Sequence, residues 1–165
     1  MKLYTLILIT LLAGSSLSYG RLYESELELS QRFGPPVSRA TSGNYGSRLL
    51  NYRKDKWSIR AWLVNDQCQQ ISYSFLGGAR PTSDQINALV NSNSDGHTWS
   101  VNRGKISAVN ILLPSIATSY YVRSDEEAYC QTTTFGATFK TATWLSSEER
   151  VRQQKVASQR EIPRF

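Results

Sequence analysis

Few residues in this chain have the types and spacing that chemistry needs. His97 is the single histidine and sits in the turn DGHTW, just past a helical pattern, where it reads as a capping or surface residue. No serine lies in a G-x-S-x-G context, and no histidine is placed with either cysteine. One histidine and two distant cysteines cannot build a His/Cys metal cluster, and neither H-E-x-x-H nor C-x-x-C occurs. The carboxylate pairs Glu126-Glu127 and Glu148-Glu149 are adjacent in sequence, so they diverge on a helix and face apart on a strand. They read as solvated turn and helix-start charges. Gly34 and Gly77-Gly78 lack the lysine or glycine pattern of a phosphate cradle. No catalytic constellation, cofactor or metal is expected.

What remains is aromatic and basic surface. Arg60, Trp62 and Val64 alternate with Ile59, Ala61 and Leu63, and Cys68 and Gln70 lie on the return strand, so Arg60, Trp62, Val64, Cys68 and Gln70 share the face opposite the apolar set. A tryptophan flanked by arginine is the composition of a binding hot spot, and it also suits stacking of a sugar or a base. Two outcomes are open: an exposed recognition face, or a face covered by the C-terminal strands or helix, with Trp62 as core.

The element that positions these residues runs from Tyr52 to Phe75 and reads as two antiparallel strands joined at Asn65-Asp66-Gln67. A two-residue turn would set Leu63 opposite Cys68 and send Ile71 and Tyr73 to the wrong face. A three-residue connection pairs Leu63 with Gln69, Ala61 with Ile71, Ile59 with Tyr73 and Trp57 with Phe75. Burial of one face selects the second register, with Trp57, Ile59, Ile71 and Tyr73 inward. Ser47–Arg53 precedes it as a strand, with Lys54-Asp55-Lys56 as the turn.

Two helices flank the hairpin. Residues 22–33 are rich in helix formers, with Leu22, Leu29 and Phe33 on one face and Gly34-Pro35-Pro36 as the stop. Thr82 and Gln85 form a capping box ahead of Ile86, Leu89 and Val90, and residues 91–96 end that helix. Residues 38–46 read as a polar connection. Lys105–Leu113, Tyr120–Arg123, Ala128–Phe135 and Ala137–Trp144 read as further strands. Ser146–Gln159, with Ser146 and Glu149 as a capping pair, has little apolar content and reads as a frayed or free helix; residues 160–165 read as disordered. Each half runs helix then meander, with a polar turn before a cysteine strand, which is compatible with a diverged duplication or with coincidence.

Residues 1–20 carry one lysine, an apolar run from Leu3 to Leu12 and a small-residue stretch ending at Gly20, the pattern of a secretory signal peptide cleaved near Gly20. The run is too short to span a bilayer, and no later segment is apolar enough to do so. Cleavage would remove Lys2 and lower the net charge of +6 by one. The expected organisation is therefore a signal peptide (1–20), one α+β domain (21–145) and a charged tail (146–165). In an oxidising compartment Cys68 and Cys130 could form a disulfide closing a long loop, or stand as two half-buried thiols. The scattered basic residues read as a solubility feature, with a polyanion footprint as the alternative.

Three segments together, QRFGPPV, YRKDKWSIRAWLVNDQCQQISYS and PTSDQINALVNSNSDGHTW, resemble small exported bacterial proteins of unknown function. In these a helix ends in an aromatic-Gly-x-Pro step before a Tyr-led hairpin, and a second helix leads to an Asn/Gly-rich turn and a Trp. A later strand pair there opens on a basic-Ser-Asp turn, as Arg123-Ser124-Asp125 does here. The order of elements is also similar to small domains of outer-membrane assembly lipoproteins and β-lactamase inhibitor proteins, which bind other proteins and catalyse nothing. The lipid-acceptor cysteine of the former is missing. The expected fold is α+β: an antiparallel β-meander packed by two short helices, with a second set of antiparallel strands. The expected function is an exported, soluble, non-enzymatic binding or accessory protein of the cell envelope or extracellular space. Its partner would be another protein there; nucleic acid is disfavoured. The alternatives are a polyanion-binding basic protein and a small carboxylate-dependent hydrolase.

Overall fold

The computed structural model describes residues 21–41, 46–77, 80–101 and 119–160. Residues 1–20, the Lys105–Leu113 strand and the last five residues lie outside them. Eleven elements are placed in this order. Helix α1 (Glu26–Phe33) leads into strands β1 (Ser38–Thr41), β2 (Arg48–Lys54), β3 (Trp57–Val64) and β4 (Gln67–Phe75). Helix α2 (Ser83–Ser92) leads into β5 (Trp99–Val101), β6 (Ser119–Arg123), β7 (Ala128–Thr133) and β8 (Gly136–Thr141), and α3 (Ala142–Arg160) follows. The fold is α+β, as the sequence implies.

All eight strands belong to one antiparallel sheet in the order β1-β2-β3-β4-β8-β7-β6-β5. The second strand set is thus a continuation of the meander rather than a separate layer. Helices α1 and α2 each precede four described strands, and the two quartets meet last strand to last strand. The topology therefore repeats, with an approximate two-fold relation across the β4–β8 seam. The cysteines do not obey that relation: Cys68 lies on β4, the fourth strand of its half, and Cys130 on β7, the third of its own.

The hairpin register resolves into both alternatives at once. Trp57 pairs with Phe75, Ile59 with Tyr73 and Ala61 with Ile71, but Leu63 pairs with Cys68 and Val64 with Gln67. Asn65 and Asp66 form the two-residue turn with φ of 50° and 59°, the left-handed pair that matches the twist of a hairpin. Gln69 is the extra residue of a β-bulge next to Trp62 and Leu63. The bulge reconciles a short turn with inward Ile71 and Tyr73, so no residue is sent to the wrong face. Trp57, Ile59, Ile71 and Tyr73 are all buried, as expected.

Both helices lie on this inward face. Ser25 accepts from the Glu28 amide and Glu28 returns a bond to Ser25, so α1 begins at Glu26, later than residue 22, through a capping box. Leu22 precedes the helix and is nevertheless buried with Leu29 and Phe33. Thr82 and Gln85 cap α2 as expected, and Leu89 is fully buried. Each such side chain contributes roughly 2 kcal/mol of transfer free energy. Tyr73 is the hub: its ring meets Phe33 and Trp57 at 6.4 Å and Phe139 at 6.0 Å, all edge-on. Aromatic pairs from α1, β3, β4 and β8 thereby tie both halves to one core.

Two segments differ from the expectation. The polar connection from Ser38 contains β1, which pairs Ser38 with Asn51 through Thr41 with Arg48 and forms a fully exposed edge. The strand expected over Ala137–Trp144 stops at Thr141. There the Thr141 hydroxyl accepts from the Trp144 amide and caps α3, while the Ala142 amide donates to the Glu127 carbonyl. Ser146 is accordingly inside the helix, donating back to the Ala142 carbonyl, and does not cap it.

Candidate binding face

Alternation along each strand sorts the side chains onto two faces, and register carries the sorting across the sheet. With Leu50, Tyr52, Ile59 and Ile71 inward, the residues turned outward form rows. One row runs Leu49, Trp62, Gln70, Lys140, Tyr129 and Val122. The next runs Asn51, Arg60, Ser72, Thr138, Gln131 and Tyr120. A third begins with Arg53, Ser58 and Ser74. Among the described strands, no Asp or Glu occupies an outward position; the ionisable cations there are Arg53, Arg60 and Lys140.

Of the residues expected to share this face, Arg60, Trp62, Val64 and Gln70 do so, whereas the bulge at Gln69 turns Cys68 inward, opposite Leu63 and into the core. Trp62 is half-buried and stands outside the core cluster, with the Arg60 guanidinium 5.7 Å from its ring centroid. Arg60 is exposed, Val64 is half-buried, and Gln70 is only 9% exposed. The Gln70 side-chain oxygen has no hydrogen-bond partner. The two outcomes left open by the sequence are thus divided between neighbours: α3 covers part of the face, and Arg60 and Arg53 remain in solvent.

Helix α3 is fixed over this face by its first two turns. Trp144 is buried, 5% exposed, yet does not belong to the inward core cluster. Its indole N–H donates to Glu148 Oε1 at 2.9 Å, and Lys140 Nζ meets both Glu148 oxygens at 2.9 and 2.7 Å. The Thr141 hydroxyl donates to Gln69 Oε1 at 2.7 Å, so the bulge residue anchors the start of the helix. Beside α3 a small pocket of about 100 Å³ opens among Tyr120, Tyr129, Gln131, Thr138, Lys140 and Leu145. The tyrosines and Lys140 of this pocket were not singled out from sequence. Alternation of Tyr129 and Gln131 around Cys130 is the signal that places them outward.

The cysteines do not pair. Both thiols are free and buried, Cys68 beside Leu63 and Cys130 opposite Phe139. Strand β8 lies between β4 and β7, so their backbones stand about two strand spacings (roughly 9–10 Å) apart. A disulfide needs Cα atoms within about 7 Å. Burial pushes both thiols far above their ordinary pKa, which makes them poor nucleophiles.

Several other ionisable residues are engaged in structure. His97 is exposed and lies 3.4 Å from Asp125 Oδ2. Asp125 is gripped by Arg123 at 2.7 Å, and that hydrogen bond holds its carboxyl below the usual range. Arg123 itself is 4% exposed. The half-buried carboxylates of the described chain each face a cation: Glu24 meets Arg32, Glu26 meets Arg39 and Arg48, Asp125 meets Arg123, and Glu148 meets Lys140. Glu126 and Glu127 are exposed. Among the described residues, no group of three His, Cys, Asp or Glu side chains could hold a metal ion.

No family model matches this chain, and no curated protein matches it. Among solved structures, the chain is similar to an extracellular protein containing an SCP domain from Bacillus anthracis str. Ames, at a TM-score of 0.43 and 12% identity over 78% of this chain and 46% of that one. It is also similar to a cysteine-rich secretory protein from Staphylococcus aureus subsp. aureus Mu50, at a TM-score of 0.42 and 13% identity over 75% of this chain and 46% of the other. The chain therefore spans less than half the length of either structure, and a likeness of this size carries no functional argument.

Proposed function

We propose that this chain is an exported, non-enzymatic binding protein of the cell envelope or extracellular space, and that it binds through the outward sheet face. One observation carries the reading: Trp62 and Arg60 stack on a face that lies outside the core and holds no carboxylate among the described strands. A half-buried tryptophan positioned by two neighbouring strands loses little side-chain entropy on contact, which is what a hot spot requires. Export rests on the secretory pattern of residues 1–20. Among the described residues, no helix is long and apolar enough to cross a membrane.

Among the described residues each half-buried carboxylate is already held by a cation, which weighs against the hydrolase alternative, because acid–base work needs a carboxyl free to reach the substrate. The test is a pull-down from envelope extract with the wild-type chain and Trp62→Ala in parallel. A partner retained by the wild type and lost by the variant is the expected result. Retention that ignores Trp62→Ala removes this face from the reading.

A further inference from the structure

We infer that the ligand of this face is a carboxylated polysaccharide; the inference rests on the binding face proposed above and names the class of its occupant. The argument begins with charge. Arg53 and Arg60 are exposed, and neither meets a carboxylate among the described residues. The third cation on the described strands of this face, Lys140, is neutralised by Glu148. Arg53 is paired across the β2–β3 ladder with Ser58, and Arg60 with Asn51, so the two guanidinium stems are diagonal neighbours, roughly 7–8 Å apart. Two unpaired, forked cations at this spacing suit carboxylates repeated along a chain.

The rest of the surface selects the kind of chain. A protein partner is met by an apolar centre with a polar rim. Around the arginines the surface is polar, with Asn51, Ser58 and Ser74 beside them, and Trp62, with Leu49 opposite it, borders them as a flat apolar surface. Amides and hydroxyls can donate and accept at once, which matches ring hydroxyls that do the same. Trp62, with its polar handle and flat body, suits the apolar face of a sugar ring. Short hydroxyls on a rigid antiparallel sheet are also held in place without ordering long side chains. An acidic polypeptide would also satisfy Arg53 and Arg60, and the poly-L-glutamate arm of the test separates it from a sugar.

The test measures retention in affinity electrophoresis through gels carrying polygalacturonate, dextran or poly-L-glutamate, at low salt. The wild-type chain is expected to be retarded by polygalacturonate and not by dextran, with the retardation lost at moderate salt. Trp62→Ala and Arg60→Gln should each weaken it about tenfold. Arg80→Gln, which removes the same charge from the loop ahead of α2, should change it less than about twofold. Circular dichroism confirms that each variant is folded. Absence of retardation by polygalacturonate overturns the inference, as does an Arg60→Gln effect no larger than that of Arg80→Gln, which would mean diffuse charge. Equal retention by poly-L-glutamate with the same Trp62 dependence overturns the sugar assignment and leaves the binding face standing. If Trp62→Ala changes neither this retention nor the envelope pull-down, the face itself falls.

Discussion

Replacing Gly136 by alanine tests the seam that makes one sheet out of two halves. Gly136 opens β8 opposite Ser74 of β4 and has no positive φ, so its backbone conformation alone does not demand glycine. At such a position alanine ordinarily stabilises by about 0.4–1 kcal/mol through the unfolded state. The fold reverses that sign. A Cβ here would lie 2.9 Å from the Tyr73 carbonyl carbon, closer still to its oxygen, and 3.3 Å from the Ser74 Cα. All three are backbone atoms, so no side chain can rotate away. Strand β4 must withdraw by about 1.5 Å to reach an ordinary carbon–oxygen contact. Overpacking of this kind costs about 1–3 kcal/mol. The shift also strains the bond from the Phe75 amide to the Phe135 carbonyl and the pairing of Tyr73 with Ala137, at about 1 kcal/mol for each hydrogen bond lost. The sum is a destabilisation of about 3–5 kcal/mol, a large part of the stability of an ordinary domain. Urea unfolding followed by tryptophan fluorescence should show the midpoint falling by about 1.5–2.5 M with the slope little changed. Hydrogen exchange should quicken first at β4 and β8. A neutral or stabilising Gly136→Ala would refute the seam, and with it the sheet order.

Four further outcomes are expected. Native protein should resist thiol alkylation, and two thiols should react in denaturant without reductant; a mass showing a Cys68–Cys130 disulfide contradicts the strand order. Deleting Gln69 should cost only about 1 kcal/mol, because it removes the bulge and the Thr141 hydrogen bond but keeps Leu63 with Cys68 and Ala61 with Ile71; deleting Ser72 should unfold the chain, and thermal melts distinguish the two. Thr141→Val should lower stability by about 1 kcal/mol through loss of the α3 cap, read as increased exchange of the first-turn amides, and unchanged protection there would contradict the cap. The lowered carboxyl of Asp125 contributes stability that is fully present above its unfolded pKa and lost as pH falls through the folded one. Acid unfolding of Asp125→Asn should therefore begin from a lower plateau, by roughly 2 kcal/mol or more with Arg123 left unpaired, and show a shallower loss below pH about 4. Parallel acid curves for the two proteins would contradict it.

Local pattern determined a good part of this protein. The alternation from Trp57 to Leu63 and from Ile71 to Phe75 assigned faces correctly, because period 2 is a property of the strand itself. Thr82 and Gln85 marked the start of α2 for the same kind of reason: a cap closes within four residues. The outward placement of Arg60, Trp62, Val64 and Gln70 followed from alternation alone. What lay beyond local pattern was every decision taken between distant segments. The bulge at Gln69 exists because a two-residue turn and an inward Ile71 must both be satisfied, and its side chain is anchored by Thr141, far along the chain. Thr141 ends β8 and caps α3, although the β-branched run continues to Thr143, because Glu127 and Gln69 take up the bonds that release it from the strand. The cysteines stay apart because β8 is inserted between β4 and β7, an order that neither cysteine's own neighbours encode. Strand order, seam and helix cover depend on which surfaces meet; the tertiary structure alone decided them, since many pairings satisfy the same alternation and the one adopted buries Leu29 and Leu89 of the first two helices with the Tyr73 hub.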